Sequence, residues 1–240
     1  MSDNRLYCAV DTDDLERARY LASQIKQAGA CMKLGLQFFN AHGPQGVRQI
    51  TQENPDLPVF LDLKYHDIPN TVAQAVRAAV PLGVQYLNVH ASGGIEMMKA
   101  AKQAATEEAA KLGIAAPKVL AVTILTSLDQ DNLEQVGYKY STQEQVIRLA
   151  KLTQQAGLDG IVCSPHEIAA VREACGDEFA LMVPGIRPSD HQSGSDDQKR
   201  VMSPSEAIAA GATHIVVGRP ITKADIPADA AKAILEQISA

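Results

Sequence analysis

Short apolar runs alternate with longer amphipathic segments along almost the whole chain. The apolar runs are four to seven residues long, as buried strands are, and they predict strands at 6–10, 31–35, 59–64, 86–90, 119–125, 160–163, 180–183 and 214–217. The segments between them carry apolar residues three or four positions apart and predict helices at 15–28, 43–51, 71–82, 95–112, 142–156, 167–174, 204–210 and 228–238. Glycines such as Gly29 and Gly113 directly follow several of these helices, as left-handed C-terminal caps do.

Eight strand-plus-helix units in series indicate a parallel sheet. In a chain of 240 residues they predict a (β/α)8 barrel, the TIM barrel, as a single domain over 1–240. A doubly wound open sheet is the alternative, but no Gly-x-Gly-x-x-Gly follows the first strand, which disfavours its dinucleotide-binding form. The polar segment between Arg187 and Met202 interrupts the repeat, and we interpret it as a closing lid.

Composition narrows the class of protein. Hydrophobic residues make up 46% of the chain and charged residues 21%, which is ordinary for a soluble globular protein. The net charge of -6 argues against a nucleic-acid partner. No apolar run approaches the roughly 20 residues of a membrane span, and the polar N-terminus lacks the features of a signal peptide, so we expect a cytoplasmic protein. The four cysteines are widely spaced, which favours buried thiols over a metal or redox pair.

The third predicted strand carries charges where a buried strand should be apolar. Asp62 and Lys64 are two positions apart and therefore face the same way, while the leucines beside them suit the face covered by helices. Lys33 on the second strand supplies another cation, and Asp67 follows Lys64 by three residues. Charges inside a barrel are costly unless they are paired, so a structural ion pair is one interpretation and an electrostatic active site is the other. Ile68 and Pro69 then turn the chain, so that Asn70 or Thr71 is predicted to cap the next helix.

These motifs together resemble the orotidine 5'-phosphate decarboxylase family. The most specific is Asp62-x-Lys64-x-x-Asp67-Ile68-Pro69-Asn70-Thr71, and the others follow in family order from Asp11 to Pro220. They are Asp11, Lys33 within Lys-Leu-Gly, Asn88-Val89-His90-Ala91, Thr123 to Ser127, Pro184-Gly185-Ile186-Arg187-Pro188 and Val217-Gly218-Arg219-Pro220.

The resemblance implies an enzyme, a carboxy-lyase that converts orotidine 5'-phosphate to UMP in pyrimidine biosynthesis with no cofactor and no metal. It implies that Lys64 stabilises negative charge at C6 of the pyrimidine and delivers a proton there. Asp62 would lie beside the substrate carboxylate, acting by repulsion, by positioning Lys64, or by both. Lys33 and Asp67 would complete a network of alternating charge, in which preorganised charges replace an electron sink.

The resemblance also implies the contacts of the nucleotide. Asp11 and Lys33 would bind the ribose, and Thr126 the pyrimidine edge. The phosphate would be held by Arg187, Gln198, the Gly218 N–H and Arg219, with Gln192 as the alternative to Gln198. Members of the family form homodimers with shared active sites, so Asp67 and Thr71 are expected to enter the site of the neighbouring subunit.

Three other functions are weighed against this one. A decarboxylase of the 3-keto-L-gulonate 6-phosphate type would share the Asp-x-Lys-x-x-Asp string but use magnesium. A Schiff-base aldolase would need Lys33 or Lys64 as a neutral amine, which flanking carboxylates disfavour. A non-catalytic phosphate-binding barrel would have to keep a costly charge array without a use for it.

Overall fold

The eight strands close into a barrel in which each strand pairs in parallel with the next one in sequence and β8 pairs with β1. The structure is a computed structural model that describes residues 5–188 and 202–239. The strands are β1 (Leu6–Val10), β2 (Cys31–Leu34), β3 (Val59–Tyr65), β4 (Tyr86–His90), β5 (Lys118–Val122), β6 (Gly160–Val162), β7 (Ala180–Val183) and β8 (His214–Val217). The predicted (β/α)8 barrel is therefore confirmed.

Helices cover the outside of the barrel. The α-helices of the described residues are α1 (Leu15–Ala28), α2 (Leu36–Glu53), α3 (Pro69–Ala79), α4 (Ile95–Leu112), α5 (Gln130–Gln135), α6 (Thr142–Gln155), α7 (Ile168–Cys175), α8 (Pro204–Ala209), α9 (Arg219–Thr222) and α10 (Pro227–Ser239). Short 3-10 helices lie at Val80–Leu82, Ala91–Gly93 and Pro165–Glu167. The apolar faces of these helices pack on the outward-facing residues of the strands, such as Leu61 and Val89. This outer layer is the larger of the two parts of the core.

Several boundaries differ from the prediction. Helix α2 begins at Leu36 rather than near residue 43. It is interrupted at Gly43, which has a non-helical backbone (φ 60), and the chain is helical both before this glycine and from Pro44 onward. Strand β5 ends at Val122 rather than at residue 125. Helices α5 and α9 were not predicted, because six and four residues are too few for a periodic pattern.

The prediction that Asn70 or Thr71 caps the third helix is wrong. Helix α3 begins at Pro69, with Ile68 in the capping position and no side-chain cap. Proline is well suited to the first helical position because its fixed φ fits the helix and its missing N–H would have no partner there. Thr71 therefore lies in the first turn of the helix, and residues 66–71 are all exposed.

The interior of the barrel is filled at the amino-terminal end of the strands. Tyr7, Phe60 and Tyr86 meet edge to face there, with ring centroids 5.9–6.2 Å apart. The hydroxyl of Tyr86 is 2.9 Å from Nε2 of His214. Gly160 faces the same interior, where a Cβ would collide with the backbone of Ala180 on β7. This packed floor leaves open space only toward the carboxyl ends of the strands.

Across residues 5–188 and 202–239, no helix combines the length and the apolar composition that crossing a bilayer requires.

Candidate active site

A cavity of about 580 Å³ opens at the carboxyl ends of the strands, where enzymes of this architecture hold their substrates. Eight of the residues predicted from the sequence line it: Asp11, Lys33, Asp62, Lys64, Thr126, Arg187, Gly218 and Arg219. Asp67 and Thr71 are not among the residues that line the cavity of their own barrel. Gln198 and its alternative Gln192 lie outside the described residues.

Three of these side chains form a chain of ion pairs centred on a carboxylate. Oδ2 of Asp62 is 3.1 Å from Nζ of Lys33, and Oδ1 is 2.6 Å from Nζ of Lys64. The Asp62 side chain is 12% exposed and the Lys33 side chain 11%, while Lys64 is 28% exposed and reaches toward the cavity. One carboxylate thus holds two ammonium groups against the wall of the cavity.

The Asp62 carboxyl is held in its ionised form. Burial alone would raise its pKa, because a charge is poorly solvated inside the barrel. The positive charges of Lys33 and Lys64, together with hydrogen bonds from Lys64 and Asn88, outweigh burial and lower the pKa from 3.8 to about 2. Asp62 is therefore an anion at neutral pH, and each of its oxygens is paired with a lysine.

Asn88 also belongs to this array, although the sequence identified it only as part of the motif Asn88-Val89-His90-Ala91. Its side chain is fully buried on β4, donates from Nδ2 to Oδ1 of Asp62 at 2.7 Å, and accepts the backbone N–H of Lys64 at 2.8 Å. The available signal was a polar residue in the middle of the apolar run from Tyr86 to His90. An amide in such a strand must find partners, and here it finds them in the array.

The backbone at Lys64 departs from regular strand geometry. Its φ is 54, the only positive φ of a non-glycine residue in the described ranges, and the register of β3 on β4 shifts between Leu61 and Tyr65. Simple alternation of faces is therefore not how Lys64 reaches the cavity. Strained backbone of this kind is found at functional sites, where the surrounding structure enforces it.

Asp11 and Lys33 make a second, looser contact at the mouth of the barrel. Oδ1 of Asp11 is 3.8 Å from Nζ of Lys33, and the Asp11 side chain is 59% exposed. Gly35 follows β2 directly beneath them, and a Cβ at this position would lie 3.2 Å from Oδ1 of Asp11 and 3.4 Å from Nζ of Lys33. A glycine here leaves room for the two side chains to approach each other.

The opposite side of the cavity is basic. Arg187 and Arg219 line it, together with Lys223, which was not predicted from the sequence. Residues 187 and 202 are joined by a hydrogen bond from the N–H of Arg187 to the carbonyl of Met202 at 3.0 Å. The two described segments that end at Pro188 and begin at Met202 therefore meet beside the cavity.

Helix α9 is anchored from the first helix of the barrel. Nη2 of Arg17 donates to the carbonyl of Thr222 at 2.6 Å, which fixes the last turn of α9. Gly218 and Arg219 lie at the other end of the same short helix. A backbone N–H and a guanidinium that lie next to each other are suited to binding a phosphate.

The segment of Asp67 and Thr71 is exposed and does not line the cavity of its own chain. The Asp67 carboxylate accepts the N–H of Ile68 at 2.7 Å, and within the described residues it forms no ion pair. Ile68 beside it is 66% exposed, the most exposed large apolar side chain of the described structure. A single barrel thus brings together Lys33, Asp62 and Lys64, but it does not bring Asp67 to them.

Comparison with known proteins identifies the family. A sequence model described as "Orotidine 5'-phosphate decarboxylase / HUMPS family" matches residues 4–234. The chain belongs to this family. The family predicted from the motifs is therefore confirmed, and the match covers every strand of the barrel.

Members of the decarboxylase family from bacteria are similar over nearly their whole length. The orotidine 5'-phosphate decarboxylase of Paramagnetospirillum magneticum is 51% identical over 235 residues, which are 98% of each chain. That of Moorella thermoacetica is 49% identical over 98% of this chain and 92% of its own. The crystal structure of orotidine 5'-phosphate decarboxylase from Lactobacillus acidophilus superposes with a TM-score of 0.87 at 36% identity, covering 99% of this chain and all of the other.

The side chains around the cavity of this decarboxylase-family barrel are suited to charge chemistry. No cluster of three or more His, Cys, Asp or Glu residues that could hold a metal ion is found in the part of the chain that the structure describes. The buried carboxylate of the cavity wall, Asp62, already has its two oxygens occupied by lysines. What the arrangement offers a ligand is an ammonium group, Lys64, fixed beside a buried anion.

Proposed function

We propose that this protein removes carbon dioxide from orotidine 5'-phosphate to give UMP, a step of pyrimidine nucleotide synthesis, and that it does so with its own side chains alone. The observation that carries the proposal is the ion-paired array at the cavity wall, in which Asp62 holds Lys33 and Lys64 at 3.1 Å and 2.6 Å. The names of the relatives at about half identity over full length support the substrate.

The cavity suits a nucleotide with charge at both ends. Its volume of about 580 Å³ lies within the usual range for a small-molecule site. Arg187 and Arg219 at one side fit the phosphate, and the Asp62 array at the other side fits the pyrimidine that carries the carboxylate. Asp11 and Lys33 lie at the mouth near the array, where the hydroxyls of the ribose would reach them, and Thr126 contributes to the wall from the loop after β5.

The chemical step breaks the bond between C6 and the carboxylate carbon. The electron pair of this bond stays on C6 as carbon dioxide leaves, and the pyrimidine ring delocalises it poorly. The ammonium of Lys64 stabilises this pair and then donates a proton from Nζ to C6, which gives UMP. The neutral Lys64 amine regains its proton from water before the next turnover. Each atom and charge is accounted for without an electron acceptor.

The contacts of Asp62 support two roles for it in this step, which are to position Lys64 and to repel the substrate carboxylate. Its anion holds the Lys64 ammonium in place before the substrate arrives, so the site needs no reorganisation as charge develops on C6. The substrate carboxylate would come close to the same anion, and its departure as neutral carbon dioxide relieves that repulsion. Lys33 balances the charge of Asp62 from the other oxygen.

The phosphate side would supply binding energy that the chemical step uses. Arg219 and the Gly218 N–H start a helix that is anchored through Arg17, so these groups are fixed before the ligand binds. Arg187 and Gln198 would complete the contact from the loop between residues 187 and 202. Binding energy from a group remote from the reacting bond can hold the pyrimidine against the array in the reactive geometry.

We also propose that the active protein is a homodimer in which each site is completed by its neighbour. Asp67 and Thr71 do not line the cavity of their own barrel, and they lie on an exposed segment with Ile68 at its centre. An exposed apolar side chain flanked by polar residues is suited to an interface between subunits. Across a two-fold axis this segment would bring Asp67 toward the Lys33–Asp62–Lys64 array of the partner.

The function is tested by following the ultraviolet absorbance of orotidine 5'-phosphate with purified protein in excess chelator. Rapid loss of substrate, with UMP as product, is the expected result. Turnover that stops in chelator and returns with magnesium would instead indicate a metal-dependent decarboxylase of the sugar-phosphate type. Covalent trapping by borohydride in the presence of substrate would indicate Schiff-base chemistry, and binding of UMP with no turnover at all would indicate a phosphate-binding barrel.

A further inference from the structure

Asn88 makes two hydrogen bonds that tie together different parts of the array. Its Nδ2 donates to Oδ1 of Asp62, the same oxygen that binds Nζ of Lys64, and its Oδ1 accepts the backbone N–H of Lys64. A carboxylate can only accept and an N–H can only donate, so these partners dictate which way the amide is turned. The result is a closed ring that runs from the Lys64 backbone through Asn88 and Asp62 to the Lys64 ammonium.

The ring meets the chain at the one non-glycine residue that has a positive φ in the described ranges. Lys64 has a φ of 54, in a region that non-glycine residues seldom occupy, and β3 shifts register on β4 at this point. The shift removes the N–H of Lys64 from the regular ladder with β4. The Asn88 side chain, which is itself on β4, supplies the acceptor for this N–H in place of a backbone carbonyl.

We propose that Asn88 is a positioning residue for catalysis: it holds the strained Lys64 backbone and the Asp62 carboxylate together so that the Lys64 ammonium has one direction in the cavity. The inference rests on the proposed function, because it assigns Asn88 to the step in which Lys64 protonates C6. Asn88 is fully buried and is not among the residues that line the cavity, so it acts through Lys64 and Asp62 rather than by touching the nucleotide.

A side chain that serves only to fill the core would not need this chemistry. Leucine has the same branched shape, with methyl groups in place of the amide oxygen and nitrogen, but it makes neither hydrogen bond, so N88L fills the same site and removes the ring. An aspartic acid at this position can imitate the amide only when it is protonated, since its O–H then donates to Asp62 and its carbonyl accepts the N–H of Lys64. When it is ionised, it places a second carboxylate against Asp62.

The experiment compares N88L and N88D with the unchanged protein and with T153V. Thr153 is also fully buried and donates a hydrogen bond, to the carbonyl of Leu149 at 2.8 Å, but it lies on α6 outside the array. The measurements are kcat and KM for orotidine 5'-phosphate from pH 5 to pH 9, and the Kd of UMP. Turnover by the unchanged protein is the test of the proposed function, and it is read separately from the effect of the variants.

N88L should lose about 100-fold in kcat, the usual effect of a misplaced reacting group, while the Kd of UMP changes by no more than about threefold. T153V should keep its kcat within about twofold, because it removes a buried hydrogen bond without touching the array. Equal kcat values for N88L and the unchanged protein would overturn the inference. So would a loss of UMP binding in N88L as large as its loss of kcat, since that result indicates a general structural role.

N88D provides a second reading that holds even if N88L fails to fold. Relative to the unchanged protein, its kcat should be highest at low pH and should fall as the pH rises and the introduced carboxyl loses its proton. The charged and titratable groups around this amide are Asp62 and Lys64 on β3, Lys33 on β2, His90 on β4 and His66 after β3. All of them are present in the unchanged protein, so a fall with pH seen only in N88D belongs to the introduced carboxyl. A pH profile of N88D parallel to that of the unchanged protein would overturn the inference.

Discussion

Nζ of Lys64 lies 2.6 Å from Oδ1 of Asp62, although the two residues are separated by one position on the same strand. Side chains two apart on a regular strand run parallel, whereas here the left-handed backbone at Lys64 and the buried Asn88 amide bring them together. An ammonium group that is held in this way loses little freedom when a ligand binds. Under the proposed function the pair is a preorganised unit, so its removal should affect turnover far more than folding.

Replacing Lys64 with alanine tests this directly. K64A should lose at least about 1,000-fold in kcat, because both charge stabilisation and proton delivery at C6 disappear. UMP should still bind measurably, since the phosphate contacts remain. The measurement is the ultraviolet assay together with calorimetric titration of UMP. Activity retained within about tenfold would contradict Lys64 as the proton donor.

Lys102 offers a matched control for Lys64. Its side chain is 29% exposed, against 28% for Lys64, and it pairs with Asp159 at the same distance of 2.6 Å. The Lys102 pair joins α4 to the start of β6 on the outer layer of the barrel, away from the cavity. K102A should therefore keep its kcat, so that a loss seen only in K64A reports on the cavity and not on the removal of a lysine ion pair.

The pH dependence of stability is expected to report on Asp62. Its pKa of about 2 lies below the ordinary value of 3.8, so the ionised carboxylate contributes stability that is fully present above about pH 4 and is lost as the pH falls through about 2. The whole contribution is about 2 kcal/mol, of which roughly 1 kcal/mol is lost by pH 3. D62N does not titrate in this range. The free energy of unfolding of the unchanged protein, measured relative to D62N by urea denaturation, should fall by that amount between pH 7 and pH 3. A constant difference would mean that the carboxylate is not held by the two lysines.

The regular parts of the fold could be predicted because each is determined locally. Strands at 86–90, 180–183 and 214–217 and the helix at 95–112 have the predicted bounds. Glycines directly border the helix, and Thr213 and Gly218 border the last strand, so the apolar or periodic pattern ends sharply there. The interior position of Asp62 followed from the same logic. Helix α9 could not be predicted in this way, because four residues that are held by a hydrogen bond from Arg17 have no hydrophobic periodicity of their own.

The details of the site depend on contacts between distant segments. The left-handed backbone of Lys64 accompanies the shifted register of β3 on β4, and the hydrogen bonds of Asn88 depend on that shift. Neither feature can be predicted from the alternation of apolar and polar residues along the strand. The contacts of Asp67 cannot be explained by one chain, because within the described residues it meets none of its expected partners. For this residue the family resemblance implies a contact with a second copy of the chain rather than a contact inside the barrel.

Mixing two inactive variants tests the shared site. In a hybrid of K64A and D67A subunits, one site carries both changes and the other is intact, because Lys64 and Asp67 of one chain would serve different sites. Equal amounts that reassort at random should restore about a quarter of the activity of the unchanged protein. The measurement is the ultraviolet assay after the subunits have been allowed to exchange.

A hybrid of D62A and K64A subunits is the control for this experiment. Asp62 and Lys64 of one chain contact each other and line one cavity, so each site of this hybrid carries one change and neither is intact. Mixing should therefore restore nothing. Recovery with both pairs of variants would point to an artefact of exchange, and recovery with neither, although hybrids are seen by native mass spectrometry, would show that Asp67 does not serve the neighbouring site.

Arg219 should contribute to ligand binding mainly through the phosphate. Its guanidinium is placed at the start of α9 beside Gly218, on the side of the cavity away from the Asp62 array. Charge-assisted hydrogen bonds to a phosphate are among the stronger polar contacts, so R219A should weaken UMP binding about 100-fold while the Kd of uridine changes by no more than about twofold. R48A, which removes an exposed arginine on α2 that does not line the cavity, should change neither value. Isothermal titration of both ligands checks the prediction, and equal losses for UMP and uridine in R219A would mean that the phosphate is bound elsewhere in the cavity.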